Sequence, residues 1–200
     1  MVGKMDYLEN ILYRKQLDQK VFDGQKLSAE EKRWCLTNPL YNERWDFPCY
    51  KKDIIKLEPK KWHSVKVTFE SSNFLNEKII PIISIPVGEG EIKLENFIPN
   101  TVNDSVVSKK IKAVGIMINN GRQYSLFSVK SNLGFMSVAY QCEYFDSKMN
   151  VYKREISQGA QLTFGMKKEK ISENKFLYYC KSGLGLLGDF NAFVFSVELK

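Results

Sequence analysis

Met136-Ser137-Val138-Ala139-Tyr140-Gln141-Cys142-Glu143-Tyr144 carries a larger or apolar side chain at every second position. That is the period of a strand, whose successive side chains point to opposite faces of a sheet. The same alternation recurs at Val65, Val67 and Phe69, at Ile92 and Leu94, and at Phe193, Phe195, Val197 and Leu199. Between these runs lie turn signals at hairpin spacing: Gly88-Glu89-Gly90, Asn119-Asn120-Gly121, Asp146 to Asn150, and Glu173-Asn174. Asparagine and glycine tolerate the positive φ that tight hairpin turns need. Further strands are expected near 79–87, 111–118, 123–129, 151–157, 161–171 and 175–181. Many short strands with frequent turns and little helix imply a mainly β fold, an antiparallel β-sandwich of jelly-roll-like form.

Upstream the period changes from two to 3.6. Met5, Leu8, Ile11 and Leu12 fall on one helical face, with Glu9, Arg14, Lys15, Asp18 and Lys20 supplying a wet one. Asp23-Gly24 breaks the pattern, and Ser28-Ala29-Glu30-Glu31 is a capping box that starts a second helix. This helix should stop before Asn38-Pro39, because proline disfavours helix in the residue ahead of it. Residues 38–53 then mix two prolines with four aromatic residues, an ordered connector. The chain thus divides into an N-terminal helical extension with its connector, 1–53, and a sandwich domain, 54–200. The segment from Leu57 to Phe69, with Trp62-His63 opening a strand, resembles the strand start of laminin-G and concanavalin-like jelly rolls.

Two hundred residues with 44% hydrophobic and 26% charged side chains can bury a core, which excludes a disordered chain and a large multidomain enzyme. The net charge of +7 lies mostly in the second part: 10 basic against 9 acidic residues up to position 53, then 20 against 14. The first twenty residues hold no apolar run of signal-peptide type, so a cytoplasmic location is expected. Ile79 to Val87 is apolar but too short to cross a bilayer as a helix, and it contains two prolines.

The chemistry of the chain is mainly one of exclusions. Cys35, Cys49, Cys142 and Cys180 form no CxxC pair, and a single histidine is present, so no metal is expected. Reduced, buried cysteines are the expected state, with Cys142 and Cys180 in strand-like runs that could face each other across a sheet as the alternative. Gly183-Leu184-Gly185-Leu186-Leu187-Gly188 has the letters of a dinucleotide-binding turn. Such a turn works only ahead of a helix in a βαβ unit, whereas this one leads into a last strand, and no cofactor is expected. His63 lies beside Lys60 and Lys61, whose charges oppose the imidazolium that a general base must form. No catalytic residue is therefore assigned. A hydrolase with paired acids in a cleft remains an alternative, because Glu70, Glu91, Glu95, Glu143 and Glu155 could meet across a sheet.

Two candidate binding surfaces stand out. Trp34, Tyr41, Trp45, Phe47, Tyr50 and Trp62 gather aromatic faces within a short stretch, and tryptophan and tyrosine are enriched at binding hot spots. Lys109, Lys110, Lys112 and Arg122 would share one hairpin if 111–118 paired with 123–129, a basic face fit for a phosphate backbone. The expected function is a non-enzymatic binding protein whose partner is another protein, engaged through the aromatic connector and sandwich loops. Nucleic acid or another polyanion on the basic hairpin, and carbohydrate on an aromatic platform, are the alternatives.

Overall fold

The computed structural model describes residues 6–43, 45, 47–72, 78–95, 107–108, 111–115, 124–146, 150–156, 165–181, 190 and 193–200. Two helices lead: α1, Tyr7–Phe22, and α2, Ala29–Thr37. Each starts on a reciprocal cap. Asp6 accepts the Glu9 N–H at 2.8 Å and Ser28 accepts the Glu31 N–H at 3.1 Å, while both glutamates accept from the cap residue's own N–H. Helix α2 ends at Thr37, and Asn38 is extended ahead of Pro39.

Thirteen strands follow among the described residues: β1 Leu40–Tyr41, β2 Tyr50–Lys56, β3 Trp62–Ser72, β4 Lys78–Pro86, β5 Gly90–Leu94, β6 Val107–Ser108, β7 Ile111–Gly115, β8 Tyr124–Ser131, β9 Phe135–Asp146, β10 Val151–Ile156, β11 Met166–Lys170, β12 Lys175–Cys180 and β13 Phe193–Leu199. All pairs are antiparallel, in the order β5-β8-β3-β13-β12-β11-β2-β9-β4-β7-β6, with β1 beside β2 and β10 beside β9. The sheet curls until it is nearly closed, like a barrel. Its alternating residues converge inward: Val65 and Val67 of β3, Phe127 and Val129 of β8, Ile83 and Ile85 of β4, Met136, Val138 and Tyr140 of β9, and Phe195 and Val197 of β13 form one buried core. At about 25 cal/mol per Å² of apolar surface, burial of this kind is the main force holding the sheet closed.

Three expectations change. The turn Gly88-Glu89-Gly90 joins β4 to β5, which do not pair: β4 bonds to β7 and β9, and β5 to β8. That glycine-rich turn is a corner rather than a hairpin. Likewise β7 does not pair with β8. Both edges of β7 are taken by β4 and β6, and both edges of β8 by β3 and β5, which leaves neither strand an edge for the other. The strands on either side of the other two signals do pair, β9 with β10 and β11 with β12, with residues 147–149 lying outside the described residues.

The third change concerns α1. Leu8 and Leu12, read as its dry face, are 64% and 60% exposed, while Asn10 and Leu17 are 5% and 1% exposed. Aromatic rings decide the orientation. Tyr7 meets Tyr41 edge-on at 4.8 Å, Tyr13 meets Trp34 edge-on at 4.7 Å, and the Tyr7 hydroxyl donates to the Trp45 carbonyl at 2.9 Å. A ring buries more area than a leucine and brings edge-to-face attraction with it, so the tyrosine face wins the contact. Cys35, Cys49 and Cys180 are in no disulfide, so Cys180 is not bonded to Cys142.

Candidate functional site

Five of the six aromatic candidates serve packing, Trp34 between the two helices and the other four where the helix and connector meet the sheet. Trp34 packs on Tyr13; Tyr41 lies between Tyr7 and Tyr50, at 4.8 and 4.9 Å. Trp45 and Phe47 contact each other and both meet Phe190, at 5.2 and 5.7 Å. Lys167 lies over both phenylalanines, 4.5 Å from Phe47 and 4.7 Å from Phe190. All five rings are half-buried. The Trp45 indole N–H is buried with no hydrogen-bond partner among the described residues.

Trp62 stands apart, at the start of β3 and 43% exposed. Lys93 of β5 and Lys130 of β8 lie over its ring at 4.4 and 5.8 Å. Tyr124, 46% exposed on the same face, carries Lys66 at 4.7 Å. Because Trp62 pairs with Lys130 and Thr68 with Tyr124, six residues separate the two rings along β3. That is about 20 Å at strand rise, too far apart to form one platform for a sugar.

Of the basic candidates, Lys109, Lys110 and Arg122 lie outside the described residues, and Lys112 occupies β7 beside Ile85 of β4. The GxGxxG segment also lies outside them. His63 is half-buried, and its Nε2 accepts the Glu58 N–H at 3.1 Å, which ties it to the β2–β3 corner. No group of three or more metal-ligating side chains occurs among the described residues.

One buried polar cluster ties β2 to β11 and β12. Asp53, 2% exposed in β2, accepts from the Tyr178 hydroxyl at 2.6 Å and pairs with Lys168 at 2.7 Å. Burial first, and the neighbouring Asp53 charge second, hold the Tyr178 phenol protonated well above the usual range. Nearby, burial pushes the Cys49 thiol up to about 12, which leaves it an unreactive core residue despite three lysines around it.

Between α1 and the connector lies a cleft of about 250 Å³, whose polar lining includes Asn10, Arg14, Asp18, Tyr41, Glu43 and Lys51. Arg14 Nε donates to Asp18 at 3.2 Å, and Lys15 pairs with Glu43 at 2.7 Å. Both carboxylates keep 65% and 45% of their side-chain surface, the setting of solvated acids rather than of a desolvated acid–base pair. Behind Arg14, the Lys52 ammonium donates to the Cys35 carbonyl at 3.3 Å. Burial, then the Arg14 charge, lowers Lys52 to about 8.

Sequence reasoning missed this cleft. Its signal was an asparagine at i+3 from Tyr7 on the helix face that carries Leu17 at i+10. In comparisons with known proteins, no family, curated protein or solved structure matches the chain. No helix among the described residues is long and apolar enough to cross a membrane.

Proposed function

We propose that the chain is a non-enzymatic binding protein whose partner is another protein, engaged along the outer face of α1 where it adjoins the aromatic connector. One observation carries this reading: Leu8, Leu12 and Phe22 are 64%, 60% and 85% exposed. At about 100° per residue the three fall within about 80° of arc, a stripe about 21 Å long. Leu8 and Leu12 are an i, i+4 pair, the spacing with which a helix enters a partner's groove, and exposed Lys15 and Gln19 lie between them and Phe22 on that face. The connector adjoins α1 at its N-terminal end, where the Tyr7 hydroxyl donates to the Trp45 carbonyl. The sandwich form belongs to the same proposal. Its support is that, among the described residues, β11 and β2 meet through one residue pair, Met166 with Tyr50, as a seam between two layers around one core would.

The test is capture from the source cell by the wild-type chain and by a Leu8→Ser/Leu12→Ser/Phe22→Ser variant. A specific protein held by the first and lost by the second supports the reading. A protein retained equally by both overturns it.

A second reading has its own observation: the Trp62 and Tyr124 rings share a sheet face with Lys66, Lys93 and Lys130. Rings interleaved with lysines are how a sheet stacks single-stranded bases and neutralises their phosphates. Binding of an oligonucleotide should quench Trp62 fluorescence and weaken steeply with salt. A Trp62→Ala variant that binds as well as wild type at about 50 mM salt removes this reading.

A further inference from the structure

Building on the single-strand reading above, we infer that the outer face of β3 and β8 holds one strand at two separate subsites, Trp62 and Tyr124, so that only a strand long enough to reach both rings binds fully. Three lysines carry this inference. Lys93 and Lys130 lie over Trp62 and Lys66 lies over Tyr124, and none of the three is in an ion pair with a described residue. Carboxylates are nevertheless at hand: Glu91 is the cross-strand partner of Lys130, and Glu198 that of Lys66.

The charges on this face draw a line for a phosphate backbone. Val65, Val67, Phe127 and Val129 point into the core, so Ser64 and Lys66 of β3 and Ser128 and Leu126 of β8 are the outward residues between the two rings, with no acid among them. The acids stand to either side. Glu91 and Glu95 lie on the β5 flank, the second bonded to the Ser128 hydroxyl, and Glu198 lies on β13. A backbone is therefore repelled from both flanks and drawn along the lysines between them. Each ring is covered by a cation that a base displaces. An exposed cation over a ring is worth about two- to fivefold in affinity, and a base stacked on it about five- to 150-fold. The base takes the ring, and the freed ammonium meets the adjoining phosphate. Trp62, with two lysines, is the principal subsite; Tyr124, with one lysine that faces Glu198, is the second. Six residues of β3 separate them, about 20 Å. At a stacked spacing of about 3.4 Å per nucleotide, six steps fill that distance. An octanucleotide reaches both rings and a trinucleotide only one.

Fluorescence anisotropy of a labelled thymidine trinucleotide and octanucleotide on the full chain, at about 50 mM salt, reads the length dependence. A longer strand also offers more registers to Trp62 alone, so the comparison is between variants. The ratio of octanucleotide to trinucleotide affinity should be at least about fivefold larger in the wild type than in Tyr124→Ala, and Tyr124→Phe, which keeps the ring, should keep the ratio. Lys66→Gln should lower the slope of log affinity against log salt by about 0.7 for the octanucleotide and leave the trinucleotide slope unchanged, which decides the matter should Tyr124→Ala fail to fold. A ratio that Tyr124→Ala leaves unchanged, or an equal change of slope at both lengths, overturns the two-subsite track while the single-strand reading stands. No binding of the octanucleotide by the wild type overturns both.

Discussion

Helix α1 and strand β3 solve the problem of facing the core differently. In β3, Val65 and Val67 are fully buried while Trp62 and Lys66 face out, and the β8 and β13 ladders on both edges allow no other arrangement. A strand slipped by one residue would turn every side chain to the wrong face. Helix α1 has no such ladder. It is held by a few rings and by Leu17, and it leaves two leucines and a phenylalanine in solvent with an asparagine inside. The sheet is therefore specified by register, whereas the helix is specified by a handful of side chains. The sheet should tolerate little, and the helix should keep surface to spare.

Two glycines test that contrast most severely. Gly90 opens β5 at φ +151, and a Cβ there would lie 2.0 Å from the Lys130 carbonyl oxygen and 2.8 Å from Ile85. Gly24, past the end of α1, has φ +76 and nothing within 4 Å of a Cβ. Gly90→Ala should cost about 4 kcal/mol or more, through steric clash with a backbone that the ladder fixes. Gly24→Ala should cost only the strain of positive φ, about 1 kcal/mol. Urea unfolding of the pair measures both. Equal losses would mean that the β5–β8 register is no tighter than a helix end.

The next contrast lies inside α1. Leu17 is 1% exposed and Leu12 60%. Leu17→Ala should cost about 3 kcal/mol through lost burial and a cavity, and Leu12→Ala less than about 0.5 kcal/mol. Thermal or urea midpoints decide it. A large loss at Leu12 would return the leucines to the core and remove the docking stripe.

The strands were legible because a period of two survives in the sequence wherever one face is buried, as at Met136, Val138 and Tyr140. The capping box at Ser28 was legible for the same local reason. Partners were not, since a turn such as Gly88-Glu89-Gly90 encodes a bend but not which strands will bond across it. Contacts such as Tyr178 with Asp53 join residues 125 positions apart. The face of α1 was ambiguous in kind: leucines at 8 and 12 and tyrosines at 7 and 13 both read as apolar helical faces, and only the rings on Trp34 and Tyr41 choose between them. Asn10 was visible as a polar residue near the tyrosine face, yet its burial depends on β1 and the connector, which the local pattern of α1 does not encode.

Lys52 gives the smallest effect, and its sign separates the helix interface from the sheet core. Its folded pKa, about 8, lies below the usual lysine value of 10.5, so the folded chain gives up this proton before the unfolded chain does. Below about pH 8 both states carry the charge, and the fold bears the full cost of burying it. As pH rises from about 8 to 10.5 the folded ammonium deprotonates first, and the Lys52 contribution to stability rises. In the core the sign reverses. The Cys49 thiol, raised from 9.0 to about 12, stays protonated in the fold while the unfolded chain ionises, so its contribution falls across that range. Tyr41, Tyr50 and Tyr178, all raised by burial, act the same way above pH 10. The wild-type profile mixes these trends, and Lys52→Met separates them. Against wild type the variant should be more stable at pH 7 by on the order of 1 kcal/mol, the burial cost being offset in part by loss of the bond to the Cys35 carbonyl. That advantage should shrink toward pH 10 in urea unfolding at both values. An advantage that stays constant with pH would mean that α2 and α1 meet β2 without burying a charge, and that this interface is packed like the sheet core after all.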